Sequence, residues 1–146
     1  MPGRRTSVGT VFRMPTSKGD AYLQYTHRHA SWGALVWVAG GLHKEAPDDI
    51  AALLARDDGF FTFLLIDLIA TENLIQPLGR YDVPRSRQEP PLFRDNIDFG
   101  ASGQPSEYRL HRLWGEKATW SIGRDLTPEQ RRLPILTIAN PYAFSK

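Results

Sequence analysis

Cysteine is absent from the 146-residue chain. This absence excludes a disulfide framework, a thiol nucleophile, an iron–sulfur cluster and a thiolate zinc site. A chain of this length commonly forms one domain with its own apolar core. We therefore expect a single domain that spans residues 1–146.

Long apolar runs are also absent. The most apolar run, residues 60–70, is too short to span a bilayer and includes Asp67. The first residues carry Arg4 and Arg5, but no apolar signal core follows them. The sequence therefore predicts no membrane segment, no secretion signal and a cytoplasmic location.

The formal net charge is only +2, but the charge is unevenly placed. Residues 44–72 contain seven acidic and two basic side chains, whereas residues 80–94 contain four arginines and two acids. Because arginine pairs bidentately with carboxylates and phosphates, the second segment is a candidate binding region.

Short strands are predicted in the first third of the chain. Residues 8–14 and 20–26 are joined by the turn-rich stretch 16–19, which is typical of a hairpin. A third strand is predicted at 34–38. The pattern then changes: residues 47–56 begin with Pro47 and two acids and carry apolar residues at helical spacing, which predicts a helix of about three turns.

Residues 60–69 could form either a buried strand or a buried helix, and their β-branched and aromatic content favours a central strand. Further strands are predicted at 91–94, 107–114, 118–123 and 135–138. Between the last two, Thr127 and Pro128 are typical of the cap and first residue of a single helical turn.

The predicted fold class is β-rich α+β, with a bent antiparallel sheet or a partly open barrel and one main helix. The side chains expected to be mostly buried are Phe12, Tyr22, Leu23, Trp37, Leu53, Phe63, Leu65 and Trp120.

His27 and His29 form the pattern closest to a metal motif, because residues two apart on a strand share a face. No accompanying ligand motif exists, so we expect no metal site. No Gly-x-Ser-x-Gly elbow or phosphate loop is found either. The sequence thus predicts a protein that is not an enzyme and that needs no cofactor.

Aromatic and basic residues alternate in two stretches, 25–32 and 108–114, as they do in some proteins that bind single-stranded nucleic acid. This leaves open a small nucleic-acid-binding module. Its basic residues would be Arg80, Arg85, Arg87 and Arg94.

Several stretches resemble the immunity protein 26 family, which is found beside bacterial polymorphic toxins. They are residues 8–15 with Gly19 and 21–25, residues 91–95, the Trp120 strand, and residues 126–130 followed by Leu133 and Pro134. The resemblance implies an antitoxin-like inhibitor that binds a secreted toxin domain and occludes its active site. It implies a protein partner and no small-molecule substrate, and it makes nucleic-acid binding the less favoured alternative.

The two longest polar connections, 27–33 and 80–91, are the candidate partner-binding loops, because loops carry recognition on rigid scaffolds. The residues expected to contact the partner are His29, Trp32, Arg80, Tyr81, Arg85 and Arg87. Tryptophan and arginine are enriched at interface hot spots. The acidic residues between 45 and 58 form a competing candidate surface, which would suit a basic partner.

Overall fold

In a computed structural model of the chain, the structure describes residues 6–99 and 105–139. The described residues form eight strands: β1 Thr10–Thr16, β2 Gly19–His29, β3 Gly33–Val38, β4 Phe60–Leu64, β5 Gln76–Arg80, β6 Phe93–Phe99, β7 Pro105–Arg112 and β8 Ala118–Gly123. They also form three short helices, α1 Ile50–Leu54, α2 Ile66–Thr71 and α3 Pro128–Arg131, and a 3₁₀ turn at Arg85–Arg87. The fold is therefore β-rich α+β with open sheets, as predicted.

The chain divides into two compact units. The first unit comprises Met1–Gln88 and Ile138–Lys146, and the second comprises Glu89–Thr137. The expectation that these units form one domain stays a prediction.

The first unit is a five-stranded antiparallel sheet with the strand order β4-β3-β2-β1-β5. Leu23 and its neighbours on one face pack with Ile66 and Ile69 of α2. Tyr22 and Ala39 on the other face pack with Leu53 of α1. The alternation of side chains along each strand thus places α1 and α2 on opposite faces of the sheet.

The second unit is a three-stranded antiparallel sheet with the order β6-β7-β8. The predicted strands 107–114 and 118–123 correspond to β7 and β8, which form a hairpin in which Arg112 pairs with Ala118. α3 follows as predicted: the Thr127 side chain accepts a hydrogen bond from the backbone N–H of Gln130, whose side chain returns a bond to Thr127.

Two predicted elements have different bounds. α1 is shorter than 47–56, because Asp49 rather than Pro47 caps it: its Oδ1 accepts from the backbone N–H of Ala52 at 3.1 Å. The predicted strand 60–69 is wrong beyond Leu64. Ile66 and Ile69 lie one helical turn apart and bury the same face of α2, so the second half of the run is a helix.

Two predicted core residues are not buried. Leu65 is 49% exposed, because it stands at the N-cap of α2, between strand and helix. Trp120 is half-buried, and its ring lies 5.8 Å from the guanidinium of Arg112. The other six predicted core residues are buried.

β5 is a strand that the sequence pattern does not predict, and 135–138 is a predicted strand that the structure lacks. β5 pairs with β1 although all five of its residues are exposed. Ile135 and Ile138 form only isolated bridges, to Arg94 and Phe63 respectively.

Candidate functional site

The first candidate loop is a short hairpin turn, because β2 extends to His29 and β3 begins at Gly33. His29 is buried, and its Nδ1 accepts hydrogen bonds from the backbone N–H groups of Ser31 and Trp32, each at 3.1 Å. The expectation of a partner-facing His29 is therefore corrected: the imidazole orders the turn.

Trp32 is half-buried at the end of this hairpin. Its ring centroid lies 5.5 Å from that of Phe63 on β4, with the planes tilted by 31°. The indole thus packs on Phe63 through one side, and part of its surface stays exposed.

The second candidate loop is held against the sheet rather than free. We call residues 80–88 the arginine segment. At its start, the backbone N–H of Tyr81 donates to the carbonyl of Gly9 at 2.9 Å, and the side-chain amide of Gln24 donates to the carbonyl of Tyr81 at 2.9 Å. At its end, Nε2 of His27 donates to the carbonyl of Gln88 at 2.8 Å.

Arg87, in the 3₁₀ turn of this segment, is buried, with 3% of its surface exposed. Its guanidinium is 4.1 Å from the ring centroid of Trp37, a cation–π contact, and its Nη1 donates to the carbonyl of Arg56 at 3.3 Å. Burial lowers the pKa of Arg87 from its ordinary value, against the opposing effect of the Asp57 carboxylate. The expectation that Arg87 faces a partner is therefore also corrected.

Arg80 and Tyr81 are brought together at the end of β5. With Val8, Asp82 and Val83 they line an open cavity of about 330 Å³. Arg80 is exposed, and its Nη2 lies 3.4 Å from the carbonyl of Val8. Arg85, also exposed, begins the 3₁₀ turn farther along the segment.

The six predicted contact residues therefore do not form one site. Trp32 packs on β4, and Arg80 lies on β5, which is the opposite edge strand of the same sheet. Of the predicted contact residues in the arginine segment, Arg80 and Arg85 are exposed and Tyr81 is half-buried.

The two histidines of the metal-like motif are both engaged within the protein. His27 contacts the hydroxyl of Thr26 at 3.0 Å as well as the carbonyl of Gln88, and His29 caps its turn. Over residues 6–99 and 105–139, no group of three or more His, Asp or Glu side chains is arranged to hold a metal ion.

A polar row that the sequence analysis missed crosses the three strands of the second unit. Arg109 on β7 donates to both carboxylate oxygens of Asp95 on β6, and Nε2 of His111 lies 3.0 Å from Oδ1 of Asp95. Nδ1 of His111 lies 3.0 Å from the hydroxyl of Thr119 on β8. The sequence contains a signal for this row, because side chains alternate along a strand and Arg109 and His111 therefore share one face of β7.

Comparison with family models, with curated proteins and with solved structures found no match to this chain. In the part of the chain that the structure describes, no helix is long and apolar enough to cross a membrane.

Proposed function

We propose that this chain is an antitoxin-like immunity protein, which binds a secreted bacterial toxin domain and neutralises it by covering its active site. The stretches that resemble the immunity protein 26 family supply the class of function. Neutralisation of this kind needs an interface with anchoring side chains and no catalytic group on the inhibitor.

The observation that best supports the proposal is the open cavity that Arg80 and Tyr81 line together. Both belong to residue types that anchor interfaces. The cavity has a volume of about 330 Å³, in which a side chain of the partner would bind. The backbone beside it is already ordered by Gln24 and Gly9, so binding fixes few additional degrees of freedom.

The charge of this surface favours an acidic partner. Arg80 and Arg85 are exposed, and a basic patch attracts and orients a partner of opposite charge. The competing acidic surface is weaker, because two of its carboxylates act within the fold. Asp49 caps α1, and Asp58 pairs with Arg56.

The structure argues against the nucleic-acid alternative, because two of the four arginines that it requires make contacts within the protein. Arg87 is buried on Trp37. Arg94 donates through Nε to the carbonyl of Leu133 at 3.0 Å and through Nη2 to that of Arg131 at 3.4 Å. A phosphate-binding patch would need these guanidinium groups at the surface.

Co-expression tests the proposal. A gene for a secreted protein is sought immediately upstream of the gene for this chain, and the C-terminal domain that it encodes is expressed in bacteria with and without this chain while growth is measured. Rescue by the wild-type chain is expected, with loss of rescue when Arg80 and Arg85 are both changed to Glu. Lys18→Glu, an exposed charge reversal in the β1–β2 turn, is the matched control and should rescue fully.

Two outcomes would contradict the proposal: no rescue by the wild-type chain, or equal rescue by the double variant. A gel-shift titration of the wild-type chain with single-stranded DNA and RNA, repeated at rising salt, distinguishes the alternative. Tight binding that weakens steeply with salt would favour the nucleic-acid module.

A further inference from the structure

The guanidinium of Arg87 has one edge that no described residue of the protein satisfies. Its Nη1 donates to the carbonyl of Arg56, but Nε and Nη2 are fully buried without a hydrogen-bond partner in residues 6–99 and 105–139. Burying a charged donor without an acceptor is costly, since its hydration is lost and nothing replaces it.

The indole of Trp37, which contacts this guanidinium, adds a third N–H donor. Nε1 of Trp37 is also buried with no acceptor among the described side chains and backbone. The Arg87–Trp37 pair thus contains three buried N–H donors that have no acceptor among the described residues. A positively charged, donor-only environment is one that an anion with acceptor oxygens would satisfy.

The edge of Arg87 that lacks a hydrogen-bond partner is the one that recognises carboxylates. In the second unit, Arg109 uses the same two nitrogens, Nε and Nη2, to donate to the two oxygens of Asp95 at 3.0 and 2.9 Å. The parallel N–H groups of that edge match the spacing of the two oxygens of a carboxylate.

The charge around Arg87 favours a monoanion as the ligand. The carboxylate of Asp57 raises the pKa of Arg87, against the effect of burial, and so offsets part of its positive charge. A dianion such as phosphate would meet repulsion from Asp57 and a larger desolvation cost in a buried position.

We propose that Arg87 and Trp37 form a binding site for a small carboxylate anion, which accepts hydrogen bonds from Nε and Nη2 of Arg87. The contact with Trp37 and the hydrogen bond to the carbonyl of Arg56 hold the guanidinium in place before the ligand arrives. The site lies on the α1 side of the five-stranded sheet, because Trp37 shares that face with Ala39, which packs with α1. The inference is independent of the proposed inhibitor function.

Acetate is the probe. Arginine Nε–H resonances of the wild-type protein are followed by NMR while acetate replaces chloride at constant ionic strength, and Tm is measured over the same series. We expect a saturable shift of the Arg87 Nε–H resonance and a rise in Tm that follows the logarithm of acetate concentration above Kd. An Arg87 resonance that does not saturate would overturn the proposal without the need for any variant.

Substitutions then locate the effect. R87M keeps most of the buried volume but has no donors, so it should reduce the acetate-dependent rise in Tm by at least about five-fold. R124M, at an exposed arginine of the second unit, is the control and should retain the full effect. An equal rise in Tm in R87M and in the wild type would contradict the assignment.

The carboxylate could also come from the chain itself, through Asp57. D57N separates the two sources. If a free acid is the ligand, the wild-type protein binds acetate and D57N binds it at least as tightly, because a competing negative charge is removed. Acetate binding that occurs in D57N and not in the wild type would show that Asp57 occupies the site, and the proposal would fail.

Discussion

Arg109 donates to Asp95 through both Nε and Nη2, at 3.0 and 2.9 Å, and thereby joins β7 to β6. Burial alone would raise the pKa of the Asp95 carboxyl. The hydrogen bonds and charges of Arg109 and His111 outweigh this effect and lower the pKa below its ordinary value. The hydrogen bond to Asp95 in turn raises the pKa of Arg109.

This relationship predicts how stability depends on acid. Because the pKa of Asp95 is lower in the folded protein than in the unfolded chain, its stabilising contribution is complete above the unfolded pKa and is lost as pH falls through the folded one. The loss should occur below about pH 4. Urea unfolding at pH 7 and at pH 3 should show that D95N is less stable at pH 7 and loses less stability on acidification than the wild type.

D125N is the control for this experiment, since Asp125 is exposed in the same unit. Its acid dependence should follow that of the wild type. A D95N profile that also follows the wild type would mean that the Arg109–Asp95 pair does not stabilise the fold.

Arg87 and Arg85 should differ in their effect on stability, although they are only two residues apart. Truncating the buried Arg87 to Ala removes the contact with Trp37 and leaves a void, at a cost of about 1–3 kcal/mol in the free energy of unfolding. Truncating the exposed Arg85 should change stability by less than about 0.5 kcal/mol. Similar denaturant midpoints for the two variants would contradict the burial of Arg87.

Gly59 is required by close packing rather than by backbone conformation. A Cβ atom at this position would lie 2.2 Å from the carbonyl oxygen of Val38 and 2.7 Å from the indole of Trp37. Gly59→Ala should therefore lower the free energy of unfolding by at least about 2 kcal/mol.

Gly41 provides the comparison for Gly59. Its φ is +82°, but a Cβ there would meet open space. Gly41→Ala should thus cost only the strain of a left-handed backbone, about 1 kcal/mol. A smaller effect at Gly59 than at Gly41, measured by thermal or chemical unfolding, would show that the backbone around Trp37 can move apart.

Two aromatic residues of the second unit test how burial sets stability. Phe93 has no exposed surface and stacks with Trp114 at a centroid distance of 6.3 Å, whereas Trp120 is half-buried. Phe93→Ala should cost about 3–5 kcal/mol and Trp120→Ala clearly less, despite the larger ring removed. The reverse order in urea unfolding would mean that the two faces of this sheet are exchanged.

Local rules account for the elements that the sequence predicts. The β1–β2 hairpin follows from the turn residues 16–19, which the register confirms by pairing Thr16 with Gly19. α3 follows from the cap at Thr127 and the proline after it. Each of these signals lies within a few residues of the element that it defines.

Elements that depend on contacts between distant parts of the chain could not be predicted from the sequence. β5 contains Pro77 and Gly79 and has no buried face, so only its pairing with β1 makes it a strand. Residues 60–69 form one apolar run in the sequence. The strand β4 is followed directly by the helix α2, and no polar residue between them marks where the strand ends and the helix begins.

The candidate site shows the same division. Arg80 and Arg85 are exposed in this polar, proline-containing connection, and their contact with a partner stays a prediction. The burial of Arg87 depends on Trp37, fifty residues earlier in the chain, and the capping role of His29 depends on the tightness of a turn. A lone arginine or histidine in a polar stretch carries no signal for either arrangement.

The two edge strands of the five-stranded sheet each carry a feature that hinders the addition of another strand. At β5, Pro77 lacks the N–H that a further strand would need, and a bulge shifts the pairing with β1. At β4, Ala139 donates to the carbonyl of Phe63 at 2.8 Å and occupies the outer side of that strand. A chain cut before Ile138 would lose this contact and expose the backbone of the phenylalanine-rich β4 at Phe63, so we expect it to aggregate more readily than the full chain.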